Sequence, residues 1–302
     1  MPFVTLFSAP KPFTEPQIAT IQRNAVKSWT LLPEVEVLLI GAENGVEHTA
    51  NELGVKYLPN VKCTDAGTPL ISSMFQLARE NSDSDLLCII NTDMILFPDF
   101  VEAVKQVQKQ KSNFVLLSQR WDLEVNEPIE FANDWQNRLS SIVHRQGSLH
   151  RPAGSDFFLF PRFCYTEVPD FAIGRAGWDN WMIYKARKEK WPVIDCTPSL
   201  MIVHQNHDYR HLPGGRTHYT HPETDENIRL AGGPAAVRYT ILDATHRLID
   251  GKLARPAFTG LRFWRKVELF LRRIFFFLPG NNIESVVRPK RWAKRLRKII
   301  KK

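Results

Sequence analysis

Asn91 and Asp93 follow the apolar run Leu86-Leu87-Cys88-Ile89-Ile90, and their types and placement suggest chemistry. The run is too short to span a membrane and suits a strand buried on both faces of a parallel sheet. Ligands of open α/β sheets gather at the carboxyl ends of such strands. There Asp93 offers a carboxylate to a hard divalent cation, which takes oxygen ligands and completes its shell with waters and phosphates. The alternative is an Asp that only ends the strand or caps the next element. Three further polar clusters stand at strand ends or helix starts: Gly154-Ser155-Asp156, Gly177-Trp178-Asp179-Asn180, and His204 with His207.

The elements that must position these clusters read as an α/β chain. Val4–Ser8 is a first strand, and a loop with one cation, Lys11, follows it. Thr14-Glu15-Pro16-Gln17 has capping-box spacing, with Pro inside the first turn of a helix. Ile18, Ile21, Ala25, Trp29 and Leu32 continue at helical spacing. Val35–Ile40 is a second strand, Glu47–Leu53 a short helix and Val55–Leu58 a third strand. This β-α-β-α-β opening implies parallel strands with right-handed crossovers. Asp65-Ala66-Gly67-Thr68-Pro69 is a turn that opens a helix through Met74, Leu77 and Ala78. After Asp93 come a helix at Phe100–Gln108, a strand at Phe114–Ser118, and a mixed stretch containing a helix with Trp135 and Leu139. Strands at Phe157–Phe160, Val193–Asp195 and Leu200–His204, and a helix at Met182–Lys188, complete the reading. No GxGxxG follows the first strand and no P-loop occurs, so neither dinucleotide nor P-loop chemistry is indicated.

The length suits one large domain or one domain with appendages. None of the four cysteines forms a CxxC pair, and Cys88 lies inside the apolar strand, which points to reduced, buried thiols in a cytoplasmic setting. The start of the chain has neither the basic nor the long apolar region of a signal peptide. Residues 252–302 hold sixteen Lys or Arg against two Glu, so the overall charge of +8 belongs to this stretch and the remainder is mildly acidic. A mildly acidic body disfavours nucleic acid as its partner.

Taken in order, the four clusters resemble the motifs of the GT-A glycosyltransferases. Asn91-Thr92-Asp93 stands for the metal-binding DxD, Gly154-Ser155-Asp156 for the glycine loop, Gly177-Trp178-Asp179-Asn180 for xED, and His204 for the C-terminal metal-binding His. The resemblance covers about the first two-thirds of the chain. It implies an α/β nucleotide-diphospho-sugar transferase fold with a mostly parallel central sheet, over residues 1–250. It also implies a metal-dependent hexosyl- or pentosyltransferase that uses Mn²⁺ or Mg²⁺ and a nucleotide-sugar donor, inverts the anomeric centre, and acts on a glycan or lipid-linked acceptor. In that frame Asp93, His204 and His207 hold the metal. Lys11, Asp65, Asn91, Asp93, Gly154 and Asp156 bind the donor, with Lys11 acting on the leaving diphosphate. Asp179 is the general base, and Trp178 and Trp181 stack on the acceptor sugar.

The chain departs from the family pattern at Asn91, whose amide oxygen is a poorer ligand than a carboxylate and carries no charge. Each assignment also has a plainer alternative: a helix cap for Asp179, core packing for His204, Trp178 and Trp181, a solvated loop charge for Lys11, and backbone geometry alone for Gly154. Two other functions share the pattern: a sugar nucleotidyltransferase, whose Gly-rich basic signature loop the first strand lacks, and an inactive membrane-associated carbohydrate- or nucleotide-binding protein.

Residues 251–302 read as a basic amphipathic tail. Phe263, Trp264, Val267, Phe270, Leu271, Ile274, Phe275 and Leu278 share one helical face, and Arg262, Arg265, Lys266, Arg272 and Arg273 lie on others. A second basic helix from Pro289 carries Trp292, Leu296, Ile299 and Ile300. Such segments suit a membrane interface rather than a span. They would hold the protein peripherally on the inner, anionic face of a membrane. Packing on the catalytic domain is the alternative.

Overall fold

The computed structural model describes residues 1–153, 155–207 and 221–274. The chain divides after Pro256, slightly beyond the boundary expected at 250. The reason for the difference is a terminal hairpin. Strands β12 (His246–Ile249) and β13 (Lys252–Ala254) pair antiparallel at the edge of the main sheet, so 252–254 belong to the body.

The body begins with β1 (Val4–Ser8), α1 (Pro16–Thr30), β2 (Val35–Ile40), α2 (Val46–Leu53), β3 (Lys56–Leu58), α3 (Ile71–Glu80) and β4 (Leu86–Ile90). Next come β5 (Met94–Leu96), α4 (Asp99–Gln108), β6 (Val115–Leu117), β7 (Trp121–Leu123), α5 (Trp135–Gln146), β8 (Ser148–Leu149) and β9 (Phe157–Pro161). Then follow α6 (Trp178–Lys188), β10 (Val193–Asp195), β11 (Ile202–Gln205) and α7 (Pro222–Leu230). The main sheet has the order β13-β12-β10-β6-β9-β4-β1-β2-β3. Strands β4, β1, β2 and β3 are parallel to one another, as are β6, β10 and β12. Only β9, inserted between β4 and β6, and the edge strand β13 run against their neighbours.

Alternation along the strands explains why their sequences are apolar throughout. Val4, Leu6, Leu86, Cys88 and Ile90 pack on one side with Ala25, Val26 and Trp29 of α1 and with α4. Phe7, Leu87, Ile89, Phe158 and Phe160 pack on the other with Met74 and Phe75 of α3 and with α6. Helix α1 is capped one residue later than the capping-box spacing predicts. The Glu15 carboxylate, not Thr14, accepts from the backbone N–H groups of Gln17 and Ile18.

A second, four-stranded sheet has the order β5-β11-β7-β8; β11 is the strand expected at Leu200–His204, while β5, β7 and β8 are too short to read in the sequence. Its own core of Ile95, Leu123, Leu139, Val143 and Val203 packs it on α5. Helix α1 anchors it from the other side. The Trp29 indole donates to the Met94 carbonyl at 2.8 Å, Ser28 Oγ accepts from Leu96 N–H at 3.1 Å, and Asn24 donates to the buried Gln205 at 3.0 Å. These bonds fix the chain reversal between β4 and β5, where Asp93 sits.

The described residues after Pro256 form α8 (Gly260–Ile274), a strongly amphipathic helix with Phe263, Trp264 and Phe270 exposed. No helix among the described residues is long and apolar enough to cross a membrane. The second tail helix expected from Pro289 lies outside the described residues, as does Gly154.

Candidate active site

The reversal between β4 and β5 turns on Asn91-Thr92-Asp93, with Thr92 Oγ1 held 2.9 Å from Ser8 Oγ at the end of β1. Strand β11 lies antiparallel to β5 with His204 opposite Met94, and the Gln205 N–H donates to the Asp93 carbonyl at 3.1 Å. The second sheet therefore brings His204 and the following His207 against Asp93, although more than a hundred residues separate them in sequence.

Asp93 Oδ2 is 3.2 Å from His207 Nε2 and 3.7 Å from His204 Nε2. One ligand atom from each of Asp93, His204 and His207 falls within a 4.8 Å set. The other carboxylate oxygen, Asp93 Oδ1, is buried and accepts no hydrogen bond from the described residues. A buried carboxylate oxygen without a partner is costly and needs a reason. A divalent cation at this carboxylate, with the two imidazoles as further ligands, would supply one. The donor set, one carboxylate and two imidazoles at a solvent-reachable strand end, fits Mn²⁺ better than the harder Mg²⁺, with open positions for phosphate and water.

Charge is concentrated here. Burial alone would raise the Asp93 carboxyl, but His204, His207 and Lys11 overcome it and hold the group far below the usual carboxylate range. Burial lowers Lys11, against the pull of Asp93, and its ammonium lies 3.3 Å from His207 Nε2. His204 is raised, because Asp93 and Asp122 outweigh burial and the repulsion of Arg120.

A second group adjoins the first. Asp156, at the entry to β9, is 8 % exposed. Its Oδ1 accepts from Arg120 and, at 3.1 Å, from the side-chain amide of Asn91, while its Oδ2 is buried without a partner among the described residues. Asp179 lies in the first turn of α6, two residues after the Gly177 cap, so it is not the N-cap residue. Burial and the nearby Asp156 charge push its carboxyl up to about 6, against the backbone N–H groups of the helix start. That value suits a group that exchanges protons near neutrality.

Sequence reasoning missed Arg120, Asp122 and His150. Arg120 Nε donates to Asp122 Oδ1 at 2.9 Å, His150 Nδ1 lies 2.6 Å from Asp122 Oδ2, and His204 Nδ1 lies 3.3 Å from Asp122 Oδ1. The only trace in the sequence is the alternation of Arg120, Trp121 and Asp122 just past an apolar strand.

Two expectations change. Trp178 and Trp181 are core residues, 5 % and 6 % exposed, set edge-on to Phe158 and Phe171 respectively. A sugar platform needs an open ring face, and these rings are spent on the core between α6 and the sheet. Asp65 is exposed in the turn closed by Thr64 and Thr68, and none of the described contacts joins it to the cluster. That turn is instead fastened through its threonines to Glu223 of α7, which also accepts from Arg175 at 2.8 Å.

No known protein family matches the chain, and no characterised protein matches it in sequence. Solved structures do match in shape. Staphylococcus aureus TarS 1–349 in complex with UDP-GlcNAc gives a TM-score of 0.50 at 12% identity, covering 95% of this chain and 76% of that one. Mycobacterium tuberculosis glucosyl-3-phosphoglycerate synthase in complex with Mg²⁺ and uridine-diphosphate gives 0.45 at 16% identity, over 85% and 87%. The mannosyltransferase PcManGT from Pyrobaculum calidifontis, in complex with GDP-Man and Mn²⁺, gives 0.42 at 13% identity, over 67% and 56%. On the likeness to TarS, the chain has the α/β fold of the GT-A glycosyltransferases, with a mostly parallel central sheet.

Proposed function

We propose that the chain is a metal-dependent, inverting glycosyltransferase that moves a sugar from a nucleotide-sugar to a glycan or lipid-linked acceptor. The observation that carries this reading is the cluster of Asp93, His204 and His207, whose ligand atoms lie within 4.8 Å of one another, at the carboxyl end of a central strand, with Asp93 Oδ1 buried and unpartnered among the described residues. Asp93, His204 and His207 would hold Mn²⁺ or Mg²⁺, which when bound neutralises the leaving diphosphate. Lys11 adds a desolvated positive charge on the same side. Asp156 Oδ2 is free to accept from a donor-sugar hydroxyl, with Arg120 and Asn91 fixing its orientation. Asp179, raised to about 6 near the Asp156 carboxylate, takes the proton of the acceptor hydroxyl.

The basic, aromatic α8 supports a further reading, in which the tail seats the protein peripherally on the anionic inner face of a membrane, close to a lipid-linked acceptor.

Thermal shift against a panel of nucleotide-sugars, with and without Mn²⁺, tests the donor side. A metal-dependent rise in Tm with one donor, and release of free nucleoside diphosphate when acceptor is added, are expected. Asp93→Ala and His204→Ala should each abolish the metal-dependent part. Wild-type metal dependence in both variants would remove the metal assignment.

A further inference from the structure

We propose that Asp122 is a positioning residue that sets the tautomer and ring orientation of His204, an inference that rests on the metal-site reading above. The register of the second sheet places the pair. Strand β7 runs parallel to β11 with Asp122 directly opposite His204, and β5 lies on the far side of β11 with Met94 opposite the same residue. A single row across the sheet thus contains the residue after Asp93, then His204, then Asp122.

Within that row the imidazole is held at both nitrogens. Nδ1 faces Asp122 Oδ1 at 3.3 Å and Asn206 Oδ1 at 3.3 Å, while Nε2 faces Asp93 Oδ2 at 3.7 Å. Two oxygen acceptors at Nδ1 require the proton there. Nε2 then keeps its lone pair directed at the Asp93 side, where a cation would sit. A carboxylate on the outer nitrogen of a metal-binding imidazole fixes its orientation and raises its basicity.

Asp122 is itself immobilised. Arg120 Nε donates to its Oδ1 at 2.9 Å, and His150 Nδ1 meets its Oδ2 at 2.6 Å. Arg120 also holds Asp156, so one guanidinium connects the imidazole's support to the sugar-side carboxylate. This gives Arg120 and Asp122 a shared role in keeping the two halves of the site in register.

The test uses the full chain and Mn²⁺ alone. Calorimetric or EPR titration of wild type and Asp122→Asn gives the metal affinity, and ¹⁵N–¹H imidazole spectra of the metal-free protein give the His204 tautomer. Expected, at a pH where His204 is neutral, are a proton on Nδ1 in wild type and a mixed tautomer in Asp122→Asn, with Mn²⁺ affinity lowered by roughly 10- to 100-fold in the variant. Wild-type affinity and an unchanged tautomer in Asp122→Asn would overturn the positioning role while leaving the metal site standing. A wild-type protein that binds no Mn²⁺, alone or with UDP or GDP, would overturn the metal reading itself and this inference with it. If Asp122→Asn fails to fold, the wild-type spectrum decides, recorded at a pH where His204 is neutral: a neutral His204 protonated at Nε2 alone contradicts the Nδ1 contacts with Asp122 and Asn206.

Discussion

The side-chain amide of Asn91 donates to Asp156 Oδ1 at 3.1 Å, the same oxygen that Arg120 holds. Asn91, which carries no charge of its own, therefore serves to support a carboxylate. Asn91→Asp would set two carboxylates about 3 Å apart, and one of them would take up a proton well above its ordinary pKa. A raised carboxyl costs stability above its folded pKa, and that cost disappears below its unfolded pKa. The variant should lose about 1–3 kcal/mol relative to wild type at pH 8, with the gap closing toward pH 4. Thermal denaturation at the two pH values measures it. Tighter Mn²⁺ binding without loss of Tm would instead place residue 91 beside the ion.

Asp179 carries a separable stability signature. Its carboxyl, pushed up to about 6 by burial and Asp156, is ionised at a cost above that pH and is at no disadvantage below about 4. Asp179→Asn should therefore raise stability at pH 8 by about 1–2 kcal/mol, discounted for partial exposure, and leave it unchanged near pH 4. Turnover should fall by roughly a hundredfold or more with donor binding preserved. In wild type, turnover should rise with pH through about 6 and then level off. Near-normal turnover in the variant would shift the base role to Asp156.

Lys11 keeps its ammonium 3.3 Å from His207 Nε2, in the space a cation would enter. Lys11→Met removes a like charge from that space. Mn²⁺ binding in the absence of nucleotide should tighten by about three- to tenfold, while nucleoside diphosphate binding in the presence of metal weakens. Paired calorimetric titrations separate the two effects. Weaker metal binding in the variant would show that Lys11 supports the cluster rather than competing with its ion.

The tail is tested by sedimentation with liposomes. Full-length protein should sediment with phosphatidylglycerol vesicles at low salt and less at high salt, since basic residues near an anionic surface contribute about 1 kcal/mol each and are screened. It should sediment poorly with neutral vesicles. A chain ending at residue 260 should remain in the supernatant and still bind donor. Equal sedimentation of both forms would exclude the tail as an anchor, and failure of the shortened chain to fold would assign α8 a packing role.

The parts of the molecule that were legible in the sequence are those with long, uniform signals. Leu86–Ile90 and Phe157–Phe160 are buried on both faces, so their apolar runs mark central strands without ambiguity. Asp93, Asp156 and His204 could be picked out because each follows or precedes an apolar run, and Asp179 because its motif opens a helix. The second sheet was not legible, because β5, β7 and β8 span only three, three and two residues and have mixed composition. Asp122 was invisible for the same reason: its role depends on register with His204, which no local pattern encodes. Trp178 and Trp181 misled because an aromatic pair beside a functional motif looks the same whether it faces a sugar or the core.

The second sheet also dictates when the site exists during folding. Its central strand, β11, must pair with β5 and β7, contributed by segments some eighty to a hundred residues earlier in the chain. Closing loops of that length is entropically unfavourable and slow compared with the local β-α-β assembly of the first half. Strands β1 to β4 can form as soon as they are synthesised, but Asp93 then waits with its carboxylate in water until His204 arrives. The Asp93, His204 and His207 cluster is therefore complete only once the chain has been made through His207, and a ribosome-bound or truncated molecule that stops short of it would lack the proposed metal site.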